Sequence, residues 1–519
     1  MQWRDRGAAA LVALEDYNTS SNSSSSKSQL EQRLSEALVE IEKDGHMVGL
    51  QLCVLKDGKA LANIAAGTIG VANPRPVTRA TLFNVFSVSK GVLAVCLLRL
   101  WQDGRIESLD DPVCKYWPAF ADAAATTKQD VTVRHLLTHQ SGLWDSYPKN
   151  ATLDTLLDWS GMVEFVAKDA KPSHVPGEAT RYHALTFAWL VGGLIEAVTN
   201  QPYEALLEEI FPRRGEDSGI ESSSRSGSSG TNTTNGGHRL FLAGIPKDAQ
   251  HERELAVLSI DRRRGISQQQ QQEPQPPSND DEQPRFGQEK KETAPHSREE
   301  QEANNDKDND DTDDEDADAD NEERDRWNKN PKQMLAKYRG MQHLMNPSVF
   351  NMRKVREAKL PSANGHASAE SLARFFHAVI RPRDPILTPL VLEEARTPLR
   401  MPATSPSSSS SSLQNDAMLS DSRSLFGLGF QLHEFELANG DTAVSIGHAG
   451  IGGSVVLAVP EEQVVIALTV NHLSGDGIAR QRLFGIVFGE LGWQAPSTLP
   501  VVDSNGNGNS NQTNDEYSI

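Results

Sequence analysis

Apolar residues along this chain recur first at every third or fourth position and later at every second, and the switches between those periods mark out its elements. Residues 28–43 carry leucines and an isoleucine at helical spacing, with Gly45 as a stop signal. Two apolar runs, 48–55 and 59–66, are joined by Lys56-Asp57-Gly58 and predict a β-hairpin. A long apolar helix follows, running from about Ser87 to Trp101. Shorter helical patterns cover 131–138, 159–167 and 186–198, so the middle of the chain is rich in helix. Residues 238–245 and 254–260 predict two strands, and 331–345 and 368–380 two amphipathic helices. The last third alternates apolar runs with turns at 426–435, 442–447, 454–459 and 464–470, with Pro460–Gln463 as a hairpin turn, and a helix over 477–491 closes it. The simplest assembly is an α/β (α+β) fold. One antiparallel sheet pairs the first hairpin with the terminal strands, the terminal helices flank it, and the α-rich half lies to one side.

Composition changes this picture only locally. Mean hydropathy is -0.50 and 37% of residues are hydrophobic, low for a wholly folded chain of 519 residues. Between Asp280 and Asp325 there are 21 acidic against 6 basic residues, a net of -15 out of -20 for the chain. The acidity thus belongs to one segment, and the remainder gives nucleic-acid binding no electrostatic support. The expected organisation is a flexible segment over 1–28, one domain over 29–492 interrupted by disordered inserts at 217–237, 262–330 and 403–415, and a disordered tail over 493–519. The acidic insert suits solubility or a basic partner. Three cysteines (Cys53, Cys96, Cys114) are too few for a disulfide framework and lack zinc-ligand spacing. No run of 18 apolar residues occurs and the first residues do not read as a secretory leader, so a cytoplasmic location without a membrane span is expected.

Candidate chemistry sits at the start of the long apolar helix, Phe86-Ser87-Val88-Ser89-Lys90. Side chains at i and i+3 share a helix face, so Lys90 can reach the Ser87 hydroxyl. A serine needs a neighbouring base to be nucleophilic at neutral pH, and a lysine desolvated by apolar surroundings can be that base. The helix amino end also offers N–H groups where an oxyanion would form. Ser-x-x-Lys recurs at Ser24–Lys27 and Ser146–Lys149, but the first copy lies in a serine tract and the second contains Pro148. Only Ser87 has an apolar approach and a long helix behind it.

Two further segments stand in order after this one: Pro176-Gly-Glu-Ala-Thr-Arg-Tyr182-His183-Ala184 and Gly447-His448-Ala449-Gly450-Ile451. Together with Val133–Leu143 and Leu360-Pro-Ser-Ala-Asn-Gly365, these motifs resemble the serine β-lactamase and penicillin-binding-protein superfamily, in particular class C β-lactamases and related esterases and D-aminopeptidase-like hydrolases. The resemblance covers about 30–215, 238–260 and 335–492. It implies a class C β-lactamase-like fold and a serine hydrolase in which Ser87 is the nucleophile and Lys90 and Tyr182 share the proton transfers. His448 and Gly450 would lie at the substrate edge, and the N–H groups of Ser87 and Ile451 would form the oxyanion hole. No metal or cofactor is implied. Near a Lys90 cation the Tyr182 phenol would have a lowered pKa. Taken singly, Tyr182 reads as a half-buried structural tyrosine, the commoner fate of that residue, and His448 also allows a strand-end reading; His139 and His183 read as structural.

The motifs depart from the class C pattern at two places. Ala184 stands where an asparagine is usual, and His448-Ala449-Gly450 replaces Lys-Thr-Gly. Loss of the amide, the hydroxyl and a permanent cation implies poor β-lactam hydrolysis and points to an ester or small amide as substrate. The rival reading from another class is a catalytically idle scaffold that binds partners through the acidic tract.

Overall fold

In a computed structural model the described residues are 28–121, 127–212, 239–260 except 248, 347–399, 425–499 except 475 and 497, and 501. The expected inserts, the segment 1–27, the helix expected at 331–345 and most of the expected tail lie outside them.

Eight antiparallel strands form the central sheet. Strands β1 (Gly49–Lys56), β2 (Lys59–Gly70) and β3 (Asn73–Pro76) come from the start of the chain. Strands β4 (Phe83–Asn84), β5 (Leu240–Phe241), β6 (Ser259–Ile260) and β7 (His366–Ala367) are short and lie outside that sheet. Strands β8 (Leu425–Phe426), β9 (Gln431–Glu436), β10 (Thr442–Ala449), β11 (Val455–Val459) and β12 (Val464–Val470) return to it, and β13 (His472–Leu473) follows. The sheet order is β3-β2-β1-β12-β11-β10-β9-β8, joined at the centre by β1 and β12 in the register Leu50 to Val470 through Lys56 to Val464. The first hairpin therefore pairs with the terminal strands, as the periodicity predicts. Its turn works because Asp57 and Gly58 both take positive φ, 50° and 74°.

Both faces of the central strands are apolar, with a two-residue period. On one face Leu50, Leu52 and Val54 join Val455, Leu457, Val464, Ile466 and Leu468 in a core closed by helices α1 (Gln29–Lys43) and α7 (Ile478–Leu491). Leu30, Leu34, Leu38 and Ile41 supply the buried face of α1, and Ser28 caps it by accepting from the Glu31 N–H at 3.1 Å. On the opposite face Cys53, Val456, Ala458, Val465 and Ala467 join a larger core. That core contains helices α2 (Val88–Gln102), α3 (Trp159–Lys168), α4 (Thr186–Thr199), α5 (Tyr203–Ile210) and α6 (Ala369–Ile380). Helix α2 is buried all round: twelve of its fifteen residues are, from Val88 to Leu100. Such a helix has no solvent face to bend toward, so its amino end is held from every side.

Two expectations are corrected. The runs 238–245 and 254–260 form only the two-residue strands β5 and β6. Gly244 turns the chain away at φ +85°, and a Cβ there would stand 2.5 Å from the Glu357 carbonyl oxygen. Each strand joins a small separate sheet, β5 against β7 and β6 parallel to β13. The stretch expected as tail from 493 begins inside the core, because Trp493 is buried against Phe435 (ring centroids 5.3 Å apart) and Leu499 is also buried. Among the described residues no helix is long and apolar enough to cross a membrane.

Candidate active site

Ser87 stands at the amino end of α2, directly after Phe86, whose backbone takes a left-handed φ of +46°. Every residue from Thr81 to Lys90 is buried except Ser87, which is half-buried. The segment before it is fixed by pairing of β4 with β7 and by the Val85 N–H donating to the Gly365 carbonyl at 2.8 Å. From the other side the end of β10 presses in. Gly450 lies so close that a Cβ there would stand 2.3 Å from the Val85 carbonyl oxygen. The Gly450 N–H is spent on the Ser454 carbonyl at 2.7 Å, so this glycine serves close approach and offers no donor to a ligand. The N–H groups of Ser87 and Ile451 have no hydrogen-bond partner among the described residues.

Lys90 is fully buried, with Nζ 3.0 Å from Ser87 Oγ and 2.8 Å from the Ser362 carbonyl oxygen. Burial holds its pKa well below the ordinary lysine value, as the apolar helix predicts. A neutral amine has two N–H groups and one lone pair. Donating to Ser362 leaves that lone pair for the Ser87 proton. The Tyr182 ring lies beside Lys90, with Nζ 4.8 Å from the ring centroid, and its hydroxyl is 3.4 Å from His448 Nε2. The expected fall in the Tyr182 pKa is overturned: burial raises it, and the opposing effect of its contact with Ser87 is smaller. The reason is that burial disfavours the charged phenolate, and Lys90, whose own pKa burial also lowers, does not offset it. His448 is buried and its pKa is pushed down to about 3, first by burial and then by Lys90. Its Nδ1 lies 2.7 Å from the Ala449 carbonyl oxygen, which can only accept, so Nδ1 carries the hydrogen and Nε2 is an acceptor. The Tyr182 hydroxyl therefore donates to His448, and His448 carries no charge with which to hold a carboxylate.

Several supporting groups escape sequence reasoning. Ser362 anchors Lys90 through its carbonyl, while its own hydroxyl donates to the Leu185 carbonyl at 3.1 Å. The Leu360–Gly365 resemblance points to this segment but not to that atom. His139, read from sequence as structural, packs at a tilt against Tyr182 with centroids 4.7 Å apart, and its pKa is held well below the histidine range by burial. Its Nδ1 accepts from the His183 N–H at 3.3 Å. His183 is satisfied by Ser141 Oγ at 2.6 Å and the Arg181 carbonyl at 2.7 Å, which agrees with the structural reading. Gln431 on β9 accepts from the Ala449 N–H at 2.7 Å and so fixes the end of β10. The structure thus brings together Ser87, Lys90, Tyr182 and His448, with Gly450 and Ile451 at the edge. The rival Ser146 bonds instead to the Lys171 carbonyl at 3.5 Å, and Ser24 lies outside the described residues. Among the described residues no cluster of three or more His, Cys, Asp or Glu could hold a metal ion.

A curated relative, Esterase/beta-lactamase LipL of Mycobacterium tuberculosis, is 38% identical over 161 residues, 31% of this chain and 36% of the relative. Esterase EstB of Burkholderia gladioli is 29% identical over 180 residues, 32% of this chain and 45% of the relative. The chain thus spans less than half the length of these curated relatives. Among solved structures, a family VIII carboxylesterase superposes with a TM-score of 0.55 at 20% identity, covering 86% of this chain and 92% of that one. EstA from Arthrobacter nitroguajacolicus Rue61a gives 0.54 at 18% identity, covering 89% and 96%. At such identities these superpositions establish the fold alone. The family model described as Beta-lactamase matches residues 29–486, a span that takes in the sheet, the buried helix and all three motifs, and the chain belongs to that family.

Proposed function

We infer that this protein is a serine hydrolase that cleaves an ester or small amide through an acyl-enzyme on Ser87. The observation that carries the reading is the 3.0 Å contact between Ser87 Oγ and a buried Lys90 whose pKa is depressed. As Ser87 Oγ attacks the carbonyl carbon, its proton passes to Lys90 Nζ. The oxygen of the tetrahedral intermediate takes the unpartnered N–H groups of Ser87 and Ile451, which would stabilise its negative charge. Tyr182, protonated at neutral pH, gives its proton to the leaving alkoxide or amine and recovers one from Lys90. His448 Nε2 holds the phenol in place through these transfers. Water then attacks the acyl-enzyme carbonyl and gives its proton to Lys90 Nζ, and as the bond from the acyl carbon to Ser87 Oγ breaks, Lys90 returns that proton to Ser87 Oγ.

A neutral His448 and Ala184 leave the site without the cation and the amide that a β-lactam carboxylate and amide would require, which supports an uncharged ester or small amide over a β-lactam. The relative EstB, named as an esterase, supports an ester substrate, whereas LipL is named as both esterase and beta-lactamase. The test is hydrolysis of p-nitrophenyl acetate by the wild-type protein and by Ser87→Ala. The variant is expected to lose all enzyme-dependent hydrolysis while melting within a degree or two of wild type; Ser146→Ala is expected to keep full activity. Loss of activity in Ser146→Ala with retention in Ser87→Ala would overturn the assignment.

A further inference from the structure

Phe86 holds a backbone conformation that a bulky side chain avoids, and it does so one residue before the nucleophile. An aromatic residue at φ +46° persists only where its surroundings over-determine it. Two buried polar side chains do so here. The Phe86 N–H donates to Asn84 Oδ1 at 2.8 Å. The Phe86 carbonyl oxygen accepts twice from Ser89, from its N–H at 3.1 Å and from its Oγ at 2.5 Å. Asn84 is 2% exposed and Ser89 fully buried. The Phe86 ring is wedged edge-on against Phe350, with centroids 5.1 Å apart, and Gly365 packs so near Ser89 that a Cβ on it would stand 2.5 Å from the serine Cβ.

The consequence follows from the planarity of the peptide bond. The Phe86 carbonyl and the Ser87 N–H belong to one peptide unit and point in opposite directions within its plane. Two hydrogen bonds on that oxygen therefore fix the direction of the Ser87 N–H, which is one of the two unpartnered donors at the site. We propose that Asn84 and Ser89 are positioning residues that clamp the Phe86 peptide and so aim the Ser87 amide at the oxyanion. Neither needs to touch substrate. Ser89 acts on the oxygen end of the unit, and Asn84 holds the left-handed turn that presents it. This assignment rests on Ser87 being the nucleophile.

The experiment compares Ser89→Ala, Asn84→Ala and Asn84→Asp with wild type in the full chain. The readouts are kcat and KM on p-nitrophenyl acetate, inhibition by phenylboronic acid, and thermal melts. A phenylboronate adduct on Ser87 places an anionic oxygen on the amide donors and so reports their aim. A donor swung from its mark costs roughly 10- to 100-fold in rate. Ser89→Ala and Asn84→Ala should lower kcat by that factor and raise the boronate inhibition constant in proportion, with KM changed by less than about threefold. Asn84→Asp keeps the acceptor oxygen and should stay within about fivefold of wild-type kcat. Unchanged kcat in both alanine variants would overturn the clamp, as would a fall in kcat that boronate affinity does not follow, or an Asn84→Asp loss equal to that of Asn84→Ala. If both alanine variants fail to melt cooperatively, the clamp holds the fold rather than the donor and the proposal fails. A fluorophosphonate that labels wild type but not Ser87→Ala secures the nucleophile independently. No labelling of wild type would overturn that reading instead.

Discussion

Replacing Gly450 by alanine tests how closely the end of β10 must approach the nucleophile turn. Gly450 has φ -115°, a conformation any residue adopts, so alanine brings no backbone penalty of its own. The cost is steric: the added Cβ would stand 2.3 Å from the Val85 carbonyl oxygen and 3.2 Å from Phe86 Cβ. Carbon and oxygen settle at about 3.3 Å or more. Relief therefore needs a shift of about 1 Å between β10 and the turn that carries Ser87, and both partners are backbone, which yields little. Overpacking of this kind costs about 1–3 kcal/mol of stability, a few degrees in Tm for a domain of this size. A 1 Å misplacement at a reacting centre costs about 100-fold in rate. Gly440→Ala is the control. It has φ +84° with open space around the added carbon, so it should lower Tm by a comparable amount through backbone strain and leave kcat untouched. The assay pairs thermal melts with kcat on p-nitrophenyl acetate. Wild-type kcat in a folded Gly450→Ala protein would show that the approach of β10 does not set the site, and the oxyanion assignment of Ile451 would fall with it.

Further outcomes follow from the buried proton network. Lys90→Ala and Tyr182→Phe should each lower kcat by at least about 100-fold, and the double variant should be little worse than the poorer single one, because members of one proton-transfer unit fail together. Fully additive losses would show that the two act separately. Lys90→Met should raise Tm while abolishing activity. The folded-state pKa of Lys90 lies well below its unfolded value, about 10.4, so between those values the unfolded chain binds the extra proton and wild-type stability falls as pH falls. The gain in Tm should therefore widen as the melt is run at lower pH and close near pH 10; a gain independent of pH would contradict a desolvated amine. Wild-type kcat should in turn fall as pH drops through the depressed Lys90 value.

Much of this architecture is legible in the chain because it rests on period and local chemistry. The 3.6-residue spacing of Leu30, Leu34, Leu38 and Ile41, the run from Val88 to Leu100 and the alternation along β10 to β12 give the layers and the location of Ser87 and Lys90. What escapes depends on through-space environment. The direction of the Tyr182 shift requires knowing how far the fold buries the phenol, which its sequence neighbours do not decide. The Ser362 carbonyl is a backbone atom, which no side-chain pattern marks. His139 sits 43 residues before Tyr182 and meets it only in the fold. The run 238–245 has strand composition, yet Gly244 and the Glu357 carbonyl end it early, a contact more than a hundred residues away in sequence.

One feature of the pocket sets a rule for its whole cycle. Lys90, His139, His183 and His448 are all basic, all buried and all held below their ordinary pKa by burial, and the charge interactions that bear on the three histidines at this centre come from other basic groups, apart from hydrogen bonds to carbonyls. With no anion to share it, the first proton to enter makes a second harder to add. The pocket thus has a storage capacity of one. Each turnover must export the proton it borrows from Ser87 with a departing product before the next can start, and acidification should switch the enzyme off with the slope of a single proton, because the first one bound already disables the base.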